Sequence, residues 1–354
     1  MSGFFSAKYA NLTPYTPGEQ PKDAQYIKLN TNESPFPPSP AALRMAAEAA
    51  ASLQLYPDPE CRDLVKKAAE VFQVAEDEIL FTNGSDEILN FAFMAFCDES
   101  HPAVFPDISY GFYKVFAALN GVPYDQIPLA QDFTIDTKAY CGIGKTIVIA
   151  NPNAPTGIAL SAREIEEIVK SNPNNVVIID EAYVDFGGES VIPLIHKYEN
   201  LLVTGTFSKS RSLAGGRLGF GIGCKALIQD LNTIKYATNP YNVNRMTMAA
   251  GVGTLLDQAY TKQNCQKIME VREWTAQQLK ALGFTLTDSR ANFIFAKHPV
   301  ADGKQIYLLM KKKGVLIRHF DTPRLRQYNR ITVGSREQME IFLEKLMEVL
   351  EELK

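Results

Sequence analysis

The apolar run over residues 176–179 limits the possible folds of this chain more than any other feature. Its four residues, Val-Val-Ile-Ile, are all β-branched, and Asp180 follows them directly. Such a run is typical of a strand that is buried on both faces, as in a parallel sheet covered by helices. Asp180 would then lie at the carboxyl edge of the sheet, where open α/β sheets bind ligands. A carboxylate buried there needs a cationic partner, which a ligand nitrogen, a lysine or a helix N-terminus could supply.

The chain around this run alternates between strand and helix patterns over residues 41–257. Strands are predicted at 79–82, 102–105, 122–127, 145–150, 175–180, 201–207 and 217–223, and helices at 109–119 and 161–170. Ser85 follows the turn Asn83–Gly84 and is expected to be the N-cap of a further helix, whose N-terminus would suit a phosphate. The alternation favours an α/β fold with a mostly parallel sheet between helices.

Residues outside this region are predicted to form an arm and a second, smaller domain. Residues 1–40 are rich in Pro, Asn and Ser and show too little apolar periodicity for a core element. A long helical pattern over 244–282, broken near Asp257, leads to strand and helix patterns over 284–352 that favour a small α+β domain. We therefore expect an N-terminal arm over 1–40, a large domain over 41–257 and a small domain over 258–354.

Composition argues against several classes of protein. Five scattered cysteines without a C-x-x-C pair argue against a disulfide framework and a zinc site, and they fit a reducing cytoplasm. The sequence shows no secretory leader pattern and no apolar run long enough to span a membrane. The formal net charge of -4 predicts no general attraction to nucleic acid. We expect a cytoplasmic protein that binds neither membranes nor nucleic acid.

Lys209 lies in the stretch Thr206–Gly219, where hydroxyl groups flank the lysine and an arginine follows it. The lysine amine could form a Schiff base with an aldehyde. Ser208 and Arg217 could hold phosphate oxygens, the arginine through its planar fork of donors. The stretch alone could be an ordinary basic loop. Together with the neighbouring strand ends, it predicts a site for an aldehyde that also carries a phosphate.

Two further side chains are predicted to lie at the same sheet edge. Asn153 follows the strand over 145–150, in a turn that two prolines and a glycine fix. Tyr183 follows Asp180 closely enough to donate a hydrogen bond to a ring oxygen of a ligand. The alternating glycines of Gly219–Gly223 echo a dinucleotide loop, but they lie inside a predicted strand with no helix after them. Close strand packing explains them better.

These motifs, taken in their order along the chain, resemble the pyridoxal-phosphate-dependent aminotransferases of fold type I, and among the class II members the histidinol-phosphate aminotransferases. The matching segments are Leu29–Pro35, Tyr56–Pro59, Asn83–Ile88, Asn151–Gly157, Asp180–Tyr183, Ser208–Arg217 and Arg330–Gly334. The resemblance covers nearly the whole chain. It implies a homodimer that uses pyridoxal 5'-phosphate to transfer the amino group of L-histidinol phosphate to 2-oxoglutarate, which forms imidazole acetol phosphate and L-glutamate in histidine biosynthesis.

By this resemblance, four residues hold and activate the cofactor ring. Lys209 binds the cofactor and later moves a proton between the substrate α-carbon and the cofactor. Asp180 keeps the pyridine nitrogen protonated, and Asn153 and Tyr183 form hydrogen bonds to the ring hydroxyl oxygen. The aromatic side chain that stacks on the ring is expected to be Tyr110, with Phe112 and Tyr113 as alternatives.

The resemblance also implies a phosphate cup and a substrate clamp. The cup would consist of the backbone N–H groups of Ser85 and Asp86, the side chains of Ser208 and Arg217, and Tyr56 of the partner subunit. Arg330 would bind the phosphate of histidinol phosphate and, in turn, a carboxylate of glutamate, because a forked guanidinium suits both anions. Further substrate contacts are expected from Arg318, Tyr15, Asn30 and Asn242.

Other activities of the same fold stay open at this point. An enzyme like the phosphothreonine decarboxylases would share the lysine, the aspartate and the phosphate cup, because the bond that breaks depends on which substituent stands perpendicular to the ring. Transamination of aromatic amino acids or alanine is a second alternative. A non-catalytic cofactor-binding module is a third, although the sequence shows no DNA-binding segment beside it.

Overall fold

The computed structural model describes residues 2, 4–10, 12–21 and 23–354. Its strands, in chain order, are β1 (Ile27–Lys28), β2 (Ile79–Thr82), β3 (Ala103–Pro106), β4 (Tyr124–Ile127), β5 (Thr146–Ala150), β6 (Val177–Asp180), β7 (Leu201–Thr206), β8 (Gly219–Gly223), β9 (Thr285–Leu286), β10 (Phe293–Lys297), β11 (Val315–Leu316), β12 (Arg318–His319) and β13 (Tyr328–Thr332). Its α-helices are α1 (Pro40–Ala50), α2 (Arg62–Phe72), α3 (Ser85–Phe96), α4 (Phe112–Asn120), α5 (Ala162–Ser171), α6 (Lys225–Thr238), α7 (Arg245–Leu256), α8 (Gln258–Ala281), α9 (Gly303–Lys312) and α10 (Arg336–Glu352). Among the described residues, no helix is both long enough and apolar enough to cross a membrane.

A seven-stranded sheet forms the centre of the larger part of the molecule, in the order β2-β8-β7-β6-β5-β3-β4. Strands β3 to β7 run parallel to one another, and β8 runs antiparallel to both β2 and β7. Ile178 of β6 lies between Val148 and Leu202 of the adjacent strands, and every residue of β6 is buried. The prediction of an α/β fold with a mostly parallel, buried sheet is confirmed.

The start of α3 differs from the prediction by one residue. Gly84, rather than Ser85, is the N-cap, and its φ of +86° favours glycine. A Cβ on Gly84 would lie 2.4 Å from Nη2 of Arg217, and a Cβ on Gly219 would lie 2.3 Å from the backbone nitrogen of Ser85. Glycine therefore lets β8 approach the N-terminus of α3 closely, which agrees with the packing explanation for the alternating glycines.

Helices α1, α2 and α6 are absent from the sequence prediction. In α1 the residues facing its neighbour are small, and Oγ of Ser39 caps the helix by accepting from the N–H of Ala42 at 3.2 Å. A Cβ on Gly253 of α7 would lie 2.6 Å from Cα of Ala42, so the two backbones pack very closely. A search for large apolar residues at helical spacing misses a helix that packs through alanine and glycine.

A second sheet, antiparallel and in the order β12-β13-β10-β9, packs with α8, α9 and α10 around its own core. Helix α10 contributes Met339, Phe342 and Leu346 to this core, at the spacing of one apolar helix face. The expectation that the arm contains no core element is wrong for residues 27–30. Strand β1 pairs in parallel with β11, and Leu29 is buried in the same core. A two-residue strand carries too little periodicity to be recognised in the sequence.

Candidate active site

A cleft of about 470 Å³ opens at the carboxyl ends of β5, β6 and β7, next to the N-terminus of α3. The predicted site residues that line it are Ser85, Asp86, Tyr110, Asp180, Tyr183, Ser208, Lys209 and Arg217. Thr31 and Glu33 from the N-terminal segment line it as well. The topology explains this grouping, because parallel neighbouring strands bring their carboxyl ends to one edge of the sheet.

Lys209 lies just beyond the end of β7. Thr206 fixes this segment, because its Oγ1 donates to Oγ of Ser208 at 3.0 Å and accepts from the backbone N–H of Ser208 at 3.1 Å. Nζ of Lys209 donates to the carbonyl oxygen of Thr31 at 3.2 Å and lies 5.8 Å from the centroid of the Tyr183 ring. The amine is thus held by a neutral carbonyl on the opposite wall of the cleft.

Asp180 ends β6, and its side chain is buried. Its Oδ2 accepts a hydrogen bond from the Tyr113 hydroxyl at 2.8 Å, and its Oδ1 accepts one from the backbone N–H of Ala182 at 3.2 Å. Burial raises the pKa of Asp180 to about 6, although both hydrogen bonds act to lower it. Within the described part of the chain, Asp180 forms no ion pair with a lysine or arginine, so a cationic ligand is the partner that its burial still calls for.

Tyr183 and Asn153 differ in the freedom of their polar groups. Oη of Tyr183 accepts a hydrogen bond from Nδ2 of Asn32 at 2.9 Å, which leaves the tyrosine its own hydrogen to donate. Nδ2 of Asn153 donates to the carbonyl oxygen of Ile108 at 3.0 Å and to Oγ1 of Thr156 at 3.1 Å. Both amide hydrogens of Asn153 are therefore used within the protein, and a hydrogen bond to a ligand requires the release of one of them.

The N-terminus of α3 and the segment after β7 form a cup of hydrogen-bond donors. Ser85 and Asp86 occupy the first turn of α3, where backbone N–H groups lack intrahelical partners. Nη1 of Arg217 lies 3.4 Å from Oγ of Ser208, and its Nη2 lies 3.5 Å from Oδ2 of Asp86. A phosphate suits this cup, because a helix N-terminus and a guanidinium both attract anions.

The three aromatic candidates for stacking have different surroundings. Tyr110 lines the cleft, and its hydroxyl donates to Oδ1 of Asp86 at 2.7 Å. Tyr113 is fully buried behind Tyr110, with the two rings edge to face at 5.6 Å between centroids. The ring of Phe112 lies against that of Tyr15, at 4.6 Å between centroids. Tyr110 is the one of the three that borders the cleft.

Arg330 lies on β13, beneath the N-terminal segment. Its Nη2 donates to the carbonyl oxygen of Asn30 at 3.0 Å, whereas its Nε is buried and lacks a hydrogen-bond partner among the described residues. The guanidinium carbon lies 5.3 Å from the ring centroid of Phe293 and 5.8 Å from that of Phe320. Burial lowers the pKa of Arg330, and the nearby Tyr183 hydroxyl opposes this effect. An arginine held in this way can accept an anion.

Three further candidates surround Arg330 without lining the cleft. Arg318 is the cross-strand neighbour of Arg330, and it donates to the backbone carbonyls of residues 16 and 17 at 3.3 and 3.4 Å. Nδ2 of Asn30 donates to the carbonyl oxygen of residue 19 at 2.9 Å. The ring of Tyr15 lies 6.1 Å from that of Tyr110. These contacts fold the N-terminal segment over the small sheet.

Four more predicted residues do not line this chain's own cleft: Asn153, Arg330, Tyr56 and Asn242. The last two contact residues that do not line it either. Tyr56 is 78% exposed, and its ring stacks on that of Tyr241 at 4.8 Å between centroids. Asn242 is buried and donates from Nδ2 to Oε2 of Glu87 at 2.5 Å. The contacts of these two side chains within one chain do not indicate that either one binds a ligand.

The segment Thr31–Glu33 contributes more to the site than the sequence suggests. The carbonyl of Thr31 holds the amine of Lys209, and the side chain of Asn32 donates to Tyr183. Glu33 lines the cleft and accepts hydrogen bonds from Thr31 and Lys28. The polar run Asn-Thr-Asn-Glu is visible in the sequence, but its spacing does not show that it crosses the cleft.

Comparison with known proteins identifies the family. A family model for aminotransferase class I and II matches residues 24–346. The chain belongs to the class I and II aminotransferases. This aminotransferase is 48% identical to the histidinol-phosphate aminotransferase of Brachyspira hyodysenteriae over 352 residues, which cover 99% of each chain. It is 44% identical to that of Clostridium botulinum (strain 657) over 354 residues, which cover 100% of each chain.

Solved structures confirm the fold of the aminotransferase. The histidinol-phosphate aminotransferase of Sinorhizobium meliloti, in complex with pyridoxal-5'-phosphate, matches with a TM-score of 0.90 at 24% identity and covers 100% of this chain and 99% of its own. That of Clostridium acetobutylicum matches with a TM-score of 0.85 at 24% identity and covers 92% of this chain and 100% of its own. The fold type I prediction is therefore confirmed.

Proposed function

We propose that this aminotransferase uses pyridoxal 5'-phosphate to transfer the amino group of L-histidinol phosphate to 2-oxoglutarate. One observation carries the proposal: the buried carboxylate of Asp180 and the half-buried guanidinium of Arg330, whose Nε is buried, have no ion-pair partner in the described residues. The first calls for a cation and the second for an anion. A protonated pyridine nitrogen meets the first need, and a substrate phosphate or carboxylate meets the second. The identities of 48% and 44% to histidinol-phosphate aminotransferases support this choice of substrate.

The residues of the cleft fit the cofactor group by group. Lys209 offers an amine for the aldehyde, and Asp180 offers a carboxylate for the ring nitrogen. The cup around Ser85, Ser208 and Arg217 offers donors for the phosphate, with the backbone N–H of Asp86 beside them. When bound, pyridoxal phosphate supplies an aldehyde that links to amines and a ring that withdraws electrons from the substrate α-carbon.

The proton transfers of the reaction fall to Lys209 in this proposal. Its amine would take the proton from the substrate α-carbon and deliver it to C4′, the aldehyde carbon of the cofactor. The carbonyl of Thr31, 3.2 Å from Nζ, gives the amine a fixed hydrogen-bond acceptor on the opposite wall of the cleft. Tyr183 would donate to the ring hydroxyl oxygen. Asn153 would join it by releasing one of its two internal hydrogen bonds.

Substrate recognition falls to Arg330 and the segment above it. Arg330 would bind the phosphate of histidinol phosphate and, in the other half-reaction, a carboxylate of glutamate. Tyr15, Asn30 and Arg318 would cover the bound substrate, because their contacts fold the arm over the small sheet. Asn242 would reach a substrate only by leaving Glu87.

We further propose that the aminotransferase is a cytoplasmic homodimer. Tyr56 is 78% exposed, and the nearby Leu53 and Leu55 are 55% and 59% exposed, which is unusual for apolar side chains so close together. A second copy of the chain would cover them and place Tyr56 in the phosphate cup of the partner. Each subunit would consist of an arm over 1–40, a large domain over 41–257 and a small domain over 258–354.

The test is a set of half-reactions followed by absorbance. Purified protein saturated with pyridoxal phosphate receives histidinol phosphate, glutamate or phosphothreonine in turn. We expect histidinol phosphate and glutamate each to convert the cofactor to its amino form, and 2-oxoglutarate to restore it. Release of carbon dioxide from phosphothreonine without amino transfer would favour a decarboxylase. Faster conversion by phenylalanine or tyrosine than by histidinol phosphate would favour an aromatic aminotransferase.

A further inference from the structure

Tyr113 stands out among the aromatic residues because it touches the site from behind. It is the second residue of α4, its side chain is fully buried, and it does not line the cleft. Its ring packs 5.8 Å from that of Phe105 and 5.6 Å from that of Tyr110. Its hydroxyl donates to Oδ2 of Asp180 at 2.8 Å, and this is its only hydrogen bond among the described residues.

The two hydrogen bonds of Asp180 anchor one oxygen each. Tyr113 holds Oδ2, and the backbone N–H of Ala182 holds Oδ1 at 3.2 Å. A carboxylate anchored at both oxygens cannot turn about its side-chain bonds without losing one of them. An ionised carboxylate has about four lone-pair sites. Two anchors therefore leave acceptor capacity for a donor in the cleft, which Asp180 lines.

The charges around Asp180 make the Tyr113 hydroxyl important for its ionisation. Burial is the largest influence on the pKa of Asp180 and raises it, and the hydrogen bond from Tyr113 is the first of the influences that lower it. The N–H of Ala182 acts in the same direction. Asp86 of α3 raises the pKa, and Lys209 after β7 lowers it less than the hydrogen bonds do. A hydroxyl that donates to the charged form favours that form.

We propose that Tyr113 is a positioning residue, whose hydroxyl orients the Asp180 carboxylate and keeps it ionised for the ring nitrogen of the cofactor. This inference rests on the proposed function. The role of Tyr113 differs from that of the aromatic residue that stacks on the cofactor ring, because Tyr113 acts through Asp180 and does not touch the cofactor. Loss of the hydroxyl would make Asp180 a stronger base, so that the proton it shares with the ring nitrogen moves toward the carboxylate.

The experiment compares Tyr113→Phe with a matched control, Tyr140→Phe. Tyr140 is equally buried, but its hydroxyl has no hydrogen-bond partner within the described residues, so its loss removes a buried hydroxyl without breaking a bond. Both proteins are loaded with pyridoxal phosphate that carries ¹⁵N in the ring. The ring-nitrogen resonance reports protonation directly and does not depend on turnover.

We expect the resonance of Tyr113→Phe to move toward the position of a neutral pyridine, and that of Tyr140→Phe to stay with the parent. We also expect kcat to fall about tenfold in Tyr113→Phe, the scale of one hydrogen bond to a charged group, while KM for glutamate changes by less than about threefold. An unchanged resonance and an unchanged kcat in Tyr113→Phe would overturn the proposal.

A second variant separates the hydrogen bond from the packing. Tyr113→3-fluorotyrosine keeps the ring and makes the hydroxyl a stronger donor, so its resonance should stay at or beyond the protonated position of the parent. If both replacements at residue 113 moved the resonance toward neutral pyridine, packing would be responsible and the proposal would fail. Failure of the parent protein to bind pyridoxal phosphate at all would instead refute the proposed function, whatever Tyr113 does.

Discussion

Asp180 and Arg330 both carry a charge that has no ion-pair partner among the described residues, but the fold supports them in different ways. The side chain of Asp180 is buried, whereas that of Arg330 is half-buried with its Nε enclosed. Asp180 is held by a buried strand, by a tyrosine of α4 and by a backbone N–H group, all within the large sheet and its helices. Arg330 is held by a single carbonyl of the N-terminal segment and lies near two aromatic rings. The first support belongs to a continuous core, and the second depends on a segment that docks.

The difference indicates how each end of the site is formed. Asp180 receives its surroundings when the large sheet forms, because its strand is central and its partners on the adjacent strands, Ala150 and Thr204, are buried. The surroundings of Arg330 are complete only when residues 27–33 lie against the small domain. There β1 pairs with β11, and Asn32 forms hydrogen bonds with Thr332. We therefore expect changes at the cofactor end to affect chemistry, and changes at the substrate end to affect recognition of the substrate.

The largest effect is expected for Lys209→Ala, at the cofactor end. The phosphate cup and Asp180 stay intact in this variant, so pyridoxal phosphate should still bind without a covalent link. Turnover should fall by roughly 10²–10⁴-fold or more, because the residue that moves the proton is lost. The measurements are steady-state transamination and borohydride reduction of the loaded parent, followed by peptide mapping.

Reduction should attach the cofactor to Lys209 in the parent and to no lysine in the variant. Lys235 is a suitable internal comparison, since it is a buried lysine that donates to the carbonyl of Pro59, which does not line the cleft. Labelling of Lys235 or another lysine in the parent would contradict the assignment of the cofactor end.

The next effect in size is expected for Arg330→Ala, at the substrate end. Removal of one partner of a buried charge pair costs roughly 2–5 kcal/mol, so catalytic efficiency should fall about 30-fold or more with both histidinol phosphate and glutamate. Arg330→Lys should recover only part of this loss, because a point charge does not replace the fork. The measurement is kcat/KM for each substrate in the half-reaction.

Arg336→Ala serves as the control for Arg330→Ala, since Arg336 lies on the exposed start of α10 and pairs with Glu340. It should leave both efficiencies unchanged. A loss in Arg330→Ala that is confined to glutamate would mean that the phosphate of histidinol phosphate binds elsewhere, and the proposed contrast between the two ends would then need a third anion site.

The two ends also differ in how far the sequence predicts them. The run before Asp180, the turn around Asn153 and the hydroxyl-flanked Lys209 follow from local patterns, and the structure places Asp180 and Lys209 in one cleft. The contact between Tyr113 and Asp180 spans 67 residues, and no local pattern reveals it. Sequence reasoning could name Tyr113 as an aromatic near the site, but it could not show which way its hydroxyl points.

The substrate end is predicted less well because it depends on long-range docking. Arg330 can be named from its segment, yet its hydrogen bond to Asn30 joins residues 300 positions apart. Leu29 looks like an isolated apolar residue in a polar arm, although it is part of the small core. Where a segment is ordered by partners far along the chain, periodicity within the segment carries little information.

A smaller effect is expected for Tyr56→Phe. This variant tests whether a second subunit contributes a residue to the cofactor end of the site. Loss of one hydrogen bond to the phosphate should weaken cofactor binding by about 1 kcal/mol, roughly fivefold. Tyr124→Phe is the control, because Tyr124 is also an exposed tyrosine, 39% exposed, and lies on the edge strand β4. Titration of the apoprotein with pyridoxal phosphate measures both.

Mixed dimers decide whether Tyr56 acts within its own chain or across the interface. Subunits with Tyr56→Phe and subunits with Lys209→Ala are combined, and heterodimers are isolated through two affinity tags. If Tyr56 serves the partner's site, each heterodimer contains one site with both residues intact and keeps half of the parent activity. A fully active monomer in solution would contradict the two-subunit site.

The smallest effect is expected for Arg318→Gln, and it tests the contrast between the two ends most sharply. Arg318 and Arg330 are cross-strand neighbours, but within the described residues the Arg318 guanidinium donates to the carbonyls of residues 16 and 17, at 3.3 and 3.4 Å. Such long bonds between a partly exposed guanidinium and neutral acceptors contribute little, so KM for both substrates should rise by no more than about threefold while kcat stays unchanged. Glutamine keeps an N–H donor for the carbonyls, so the variant removes the positive charge while the arm can stay docked. If Arg318→Gln lost as much efficiency as Arg330→Ala, the substrate anion would be shared between the two arginines, and Arg330 alone could no longer be treated as the counterpart of Asp180.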